Sequence, residues 1–112
     1  MSYAEKYAQA RKVIDTVNAG PGRRLGGIQE GVLKALITHG GYPGGWVWDT
    51  RKHTEKVLDS LVKRGLVERT DHPMTDYRGQ RFPEGHPYHT ATTASYAPSA
   101  TVREILAPTA VL

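Results

Sequence analysis

Thr54-Glu-Lys-Val-Leu-Asp-Ser-Leu-Val-Lys-Arg-Gly-Leu-Val-Glu-Arg69 is the stretch that decides the fold. At helical spacing Val57, Leu58, Leu61 and Val62 share one face, and Lys52, Lys56, Asp59 and Lys63 share the opposite one. Gly65 stops the helix, because glycine takes the left-handed C′ conformation at little cost. Leu66-Val67-Glu68-Arg69 follows at once and reads as a strand. The pattern predicts a helix over 51–64, apolar on its inner side and basic on its outer side, that leads directly into a hairpin.

Upstream, Tyr3, Tyr7, Ala10, Ile14 and Val17 recur at steps of four and three residues. They predict a helix over 3–18 with Ser2 as its N-cap and Glu5 completing a capping box. So narrow a seam fits two arrangements, packing on its own chain or on a second copy as a homodimer. Asn18-Ala-Gly-Pro-Gly22 breaks the helix, and Arg23-Arg24-Leu25-Gly26-Gly27 is a basic linker. A helix over 28–39 follows, burying Ile28, Val32, Leu33, Leu36 and Ile37 and ending at Gly40-Gly41. Trp46 and Trp48 alternate around Val47, and are expected to fill the core together with Tyr42 and Pro43. Asp49 or Thr50 caps the next helix.

Beyond Gly65 the expected hairpin has strands over 66–70 and 88–95, the latter carrying Tyr88, Thr90, Thr92 and Ser95. The loop between them, 71–87, is long enough to suggest a functional role. A short helix over 101–106 precedes Pro108. The expected division is an N-terminal helix and linker (1–22), a central domain (23–96) and a C-terminal tail (97–112).

Composition bounds the function. Hydrophobic residues at 38% and charged residues at 23% fit one soluble globular domain in a chain of 112 residues. No apolar run approaches the ~18 residues that cross a bilayer. Met1-Ser-Tyr-Ala-Glu-Lys6 is not a basic leader before an apolar stretch, so the expected location is cytoplasmic, with no membrane partner. The absence of cysteine excludes disulfides, thiolate nucleophiles and Cys-based zinc sites. Net charge is +4, unevenly spread. Residues 51–81 hold eight Lys/Arg against five Asp/Glu, whereas residues 82–112 hold one against two. The positive charge thus gathers over the amphipathic helix and the loop after it, as a polyanion-binding face requires.

The segment from Ile28 to Ser95, roughly three-fifths of the chain, resembles the winged helix-turn-helix domain of MarR-like bacterial and phage regulators. The likeness is carried by Gly31-Val-Leu-Lys-Ala-Leu-Ile37, by Val57-Leu-Asp-Ser-Leu-Val-Lys-Arg-Gly-Leu-Val-Glu-Arg69 and by His89-Thr-Ala-Thr-Thr93. It implies an α+β winged helix: a three-helix-type core, a two-stranded β-hairpin wing and, here, an extra N-terminal helix. Pro43, Gly44 and Gly45 occupy the place of the family's middle helix, which is expected to be missing or reduced to a turn. The wing loop is also longer than the family's. The reduced form looks like a phage or plasmid product.

In that family the helix over 51–64 enters the major groove of double-stranded DNA. The resemblance therefore makes Arg51, Lys52, Lys56, Ser60 and Lys63 candidate DNA contacts. Arg78 and Arg81 at the wing tip would reach phosphate or the minor groove, and Arg23 and Arg24 are candidates for a further backbone contact. The plain alternative for the helix is a solvated face, with Asp59 offsetting Lys56 and Lys63 at three and four residues' distance. The expected function is sequence-specific duplex binding by a transcriptional regulator or phage or plasmid accessory factor. The alternative is a protein-interaction module, an inhibitor or adaptor of a host protein.

Other chemistry is thinly represented. His86 and His89 with His72 do not make a metal site without further ligands in defined geometry, and no metal or other cofactor is expected. No nucleophile motif, phosphate-binding glycine loop or paired carboxylates appear, so no enzymatic activity is expected.

Overall fold

The computed structural model describes residues 2–107. In order they form α1 (Tyr3–Ala19), α2 (Gly27–His39), α3 (Arg51–Lys63), β1 (Val67–Pro73), β2 (Thr92–Pro98) and α4 (Ala100–Leu106). The architecture is α+β, four helices with one antiparallel β1–β2 hairpin.

Three helices begin at a hydroxyl that accepts an otherwise unpaired backbone N–H. Ser2 Oγ accepts from Glu5, Thr50 Oγ1 from His53 and Ser99 Oγ from Val102. Thr50, not Asp49, therefore caps α3. Gly26 has no side chain to offer α2; instead the Gln29 Oε1 accepts from the Gly26 N–H at 3.1 Å. Gly40 and Gly65 lie at φ +83° and +75°, the left-handed conformation predicted for both helix stops. At Gly65 the reversal is fixed by two bonds, Gly65 N–H to Val62 O and Leu66 N–H to Leu61 O. They turn the chain out of α3 and bury Leu66 and Val67 at once.

One core draws on every element: Val13 and Ile14 from α1, Val32, Leu33 and Leu36 from α2, Leu58 and Leu61 from α3, Val67 and Tyr96 from the hairpin, and Val102 from α4. Residues 2–22 and 97–107 thus pack with 23–96 as one body, and residue 1 of the expected N-terminal segment and 108–112 of the expected tail lie outside the described residues. Ala10, Val13 and Ile14 are buried within the chain, whereas Tyr3 and Tyr7 remain 65% and 43% exposed. The C-terminal half of the α1 seam therefore packs on its own chain.

The hairpin departs from the expected register. β1 extends to Pro73, and β2 begins at Thr92 rather than at 88. Tyr88 and Thr90 lie in turns closed by His89 N–H to His86 O and Ala91 N–H to Tyr88 O. β-prone residue types placed the strand too early. The pairing is set by the inward-facing Tyr96, opposite Arg69, and by Val67 opposite Pro98. The connecting residues 74–91 are locally ordered. Asp76 Oδ1 accepts from the N–H groups of Arg78 and Gln80, closing a tight turn, and Phe82, His86 and Tyr88 stack together.

No helix forms between Gly40 and Thr50, as Pro43, Gly44 and Gly45 predict. Tyr42 exchanges two backbone hydrogen bonds with Tyr96, adding a one-residue third strand to the free edge of β2. Trp46 packs against the core and Tyr42, with its indole N–H on Gly41 O. Trp48 does not join the core. The outer atoms of its six-membered ring lie against Gly31, where a Cβ would come within 2.4 Å of them, and 46% of the residue stays exposed. The Trp48 N–H donates to Thr54 Oγ1, whose hydroxyl donates to Thr50 O, so a fully buried threonine ties the irregular segment to the start of α3.

Candidate functional site

Arg51, Lys52, Lys56 and Lys63 project from the outward face of α3, and across an open groove they face Thr92, Thr93 and Ala94 of β2. Leu58 and Leu61, fully buried behind them, fix the helix in this orientation. Among the described residues none of the four cations has a carboxylate partner within ion-pair distance.

That result removes the pairing that the solvated-face alternative placed between Asp59 and Lys56 or Lys63. Asp59 instead turns toward the hairpin, where its carboxylate accepts from Arg69 at 2.9 and 3.1 Å and from the Tyr96 hydroxyl at 2.9 Å. Arg69 also binds Asp71 through Nε and Nη2. The reason is positional: Arg69 stands opposite Tyr96 in the hairpin, and this pair presents two donors within hydrogen-bond reach of the Asp59 carboxylate. The lysine stripe is left without an ion pair on its own helix, with Glu55 the other carboxylate of α3 in the groove, and the groove lining includes the paired Asp59 and Arg69, the latter held in turn by Asp71. Hydrogen bonds to Asp59 and Asp71 raise the Arg69 guanidinium further above its ordinary value. Nothing in the local sequence signals this cluster, which needs the strand register that sets Arg69 opposite Tyr96, 27 positions away.

Burial first, and then the hydrogen bond to Asp59, push the Tyr96 phenol well above its ordinary range. A group whose folded value is raised keeps its full contribution to stability below the unfolded value of about 10 and loses it as pH rises past that point. Tyr96→Phe is therefore expected to flatten the alkaline limb of a stability–pH curve above pH ~10, and at neutral pH to cost about 1 kcal/mol for the lost hydrogen bond. Urea melts at pH 7 and across pH 9–11 check both; an unchanged alkaline limb contradicts the burial of the phenol.

Ser60 lines the same groove as the lysines. Its hydroxyl donates to Val57 O and accepts from Gln29 Nε2 at 3.1 Å, so it joins α3 to α2 at the rim of the groove and has no donor left for a base. The wing-loop arginines divide. Arg78 stands in the tight turn beside Tyr77, with Nε on the phenol oxygen, and Tyr77 is 89% exposed. Arg81 returns opposite Thr75. Arg23 and Arg24 border a second concavity with Gln29 and Arg64, on the α2 side of the stripe. The three histidines considered for metal are used locally: His72 bonds Ser95, His89 bonds Phe82 O, and His86 accepts from the Tyr88 N–H. Among the described residues no group of three or more His, Cys, Asp or Glu is arranged to hold a metal ion, and no helix is long and apolar enough to cross a membrane.

Comparison of the chain with protein families, with curated proteins and with solved structures returns no match.

Proposed function

We propose that the protein binds double-stranded DNA through a reduced winged helix, α3 entering the major groove and the 74–91 loop acting as the wing. The order of elements supports the winged-helix reading: a helix, a one-residue strand at Tyr42 on the sheet edge, a second helix, then the hairpin. The observation that carries the DNA reading is the row Lys52, Lys56 and Lys63, outward-facing and, among the described residues, without an ion-pair partner, although Glu55 and Asp59 line the same groove. Unpaired cations along one helix face attract a polyanion and release its counterions on binding. Sequence preference would come from the N-terminal end of α3, where Arg51 and Lys52 stand, since recognition helices read bases chiefly from that end. The part of α1 open to a second copy is its first two turns, with Tyr3 and Tyr7; a homodimer joined there makes the target a near-palindrome. The role is that of a transcriptional regulator or phage or plasmid accessory factor acting in the cytoplasm.

Salt dependence tests the reading. Six contacts by Arg51, Lys52, Lys56, Lys63, Arg78 and Arg81, at roughly 0.9 each, give a log–log slope of affinity against salt of about −5 or steeper per protomer. A fluorescence-anisotropy titration on random duplex between 50 and 200 mM salt, roughly the range in which such contacts are lost, measures it. A slope near zero removes the reading.

One observation favours a second reading, a winged helix that docks on a host protein. Ile28, Val47 and Trp48 are each about half exposed, with the Trp48 ring against Gly31, one helical turn from Ile28. Passage through heparin at low salt without retention, together with capture of a host protein that Trp48→Ala abolishes, would establish it in place of the first.

A further inference from the structure

Arg23 and Arg24 belong to a connection whose composition predicts looseness, with Gly20-Pro21-Gly22 before it and Gly26-Gly27 after. It is nevertheless tethered at three points. Leu25 is buried in the core. The Leu25 N–H donates to Asn18 Oδ1 at 2.9 Å, and Asn18 is itself held by Glu30. The third tether is Arg64, the residue immediately after α3, whose guanidinium donates to the carbonyl oxygens of both Arg23 and Arg24, the latter at 3.3 Å. The linker is thereby tied to the end of the basic helix, beside the Gln29–Ser60 bond that joins α2 to α3.

The chemistry of this tether matters for charge. Carbonyl oxygens satisfy the guanidinium donors and leave the positive charge uncancelled. Among the described residues none of Arg23, Arg24 and Arg64 has a carboxylate within ion-pair distance. Three like charges therefore border one concavity, an arrangement that repels itself until an anion enters. An ordinary structural arginine at this place would be expected to take one of the chain's carboxylates. Here the guanidinium instead organises two further arginines, and its planar fork is suited to hold two neighbouring carbonyls at once.

We propose that Arg64 is a positioning residue: it holds the Arg23–Arg24 linker beside α3 so that these two side chains grip backbone phosphates flanking those reached by the lysine stripe. The proposal rests on the DNA reading above. It places the bound duplex along a track from the wing, over α3, to the linker, and it explains why a glycine-rich connection is fastened at three points.

The salt slope and proteolysis test it together. In the wild-type chain, Arg23→Ala with Arg24→Ala should reduce the magnitude of the slope by about 2, from two contacts at roughly 0.9 each. Arg64→Met alone should produce the same reduction, and in that background the linker pair should change nothing further. Arg64→Lys keeps the charge and loses the fork, so it should also lower the slope. Without DNA, trypsin should cut after Arg23 and Arg24 faster in Arg64→Met than in wild type, read by the mass of the released N-terminal fragment. A full wild-type slope in Arg64→Lys, additive losses in the combined variant, or equal cleavage rates would each overturn the proposal alone. A wild-type slope near zero would overturn the DNA reading and this proposal with it.

Discussion

Replacing Lys52 and Lys56 together by glutamate is expected to abolish duplex binding and leave the thermal melt unchanged. Both side chains stand on the exposed face of α3, one turn apart, and neither has an acidic partner among the described residues. Their removal therefore breaks no ion pair and opens no cavity, and surface changes of this kind stay within about 0.5 kcal/mol. Two phosphate contacts are lost, a loss that alone corresponds to about 2 in the magnitude of the salt slope. The two new carboxylates then stand beside Glu55 and repel the backbone that the lysines attracted. The unperturbed protein is a fair comparison because the Asp59–Arg69–Tyr96 contacts lie on the hairpin side of the helix and are untouched. Electrophoretic mobility shift on a random duplex pool, with circular dichroism melts of both proteins, checks the pair of outcomes. Retained affinity in a variant with a wild-type melt would mean that α3 is not the reading element.

Leu61→Ala is expected to do the reverse. Leu61 is completely buried, and its backbone oxygen accepts the Leu66 N–H that turns the chain into β1. Truncation leaves a cavity where α3 meets the rest of the core, and such changes cost about 2–5 kcal/mol. At about 4 °C per kcal/mol for a domain of this size, the midpoint should fall by roughly 8–20 °C. At a temperature where the variant is still folded, its DNA affinity should be near wild type, because the lysine row stays on the same outer face. Urea titration gives the first quantity and anisotropy the second. A loss below about 1 kcal/mol would contradict the packing of α3 described above.

The contrast between these two variants follows from a pattern legible along the chain. Val57, Leu58, Leu61 and Val62 against Lys52, Lys56 and Lys63 is a periodic signal, local in sequence, and a helix converts it into two faces without help from elsewhere. The helix stops at Gly40 and Gly65 were equally legible, since only the backbone freedom of glycine was needed to read them. The irregular segment 41–50 was foreseen from Pro43, Gly44 and Gly45. What it does with its tryptophans was not, because the fate of Trp48 depends on Gly31, 17 positions away.

The sequence by itself thus determined the helices, their buried faces apart from Ile28, which stays half exposed at the start of α2, the basic stripe and the presence of a hairpin, all of them consequences of spacing within a few residues. Only the tertiary structure decided the strand register, the turning of Asp59 away from its neighbouring lysines toward Arg69 and Tyr96, the commitment of Ser60 to Gln29, and the fastening of the Arg23–Arg24 linker by Arg64. Each of these joins residues that lie 10 to 41 positions apart. A charge or hydroxyl has several partners in reach along its own helix, and which one it takes depends on where the rest of the chain has placed a better donor.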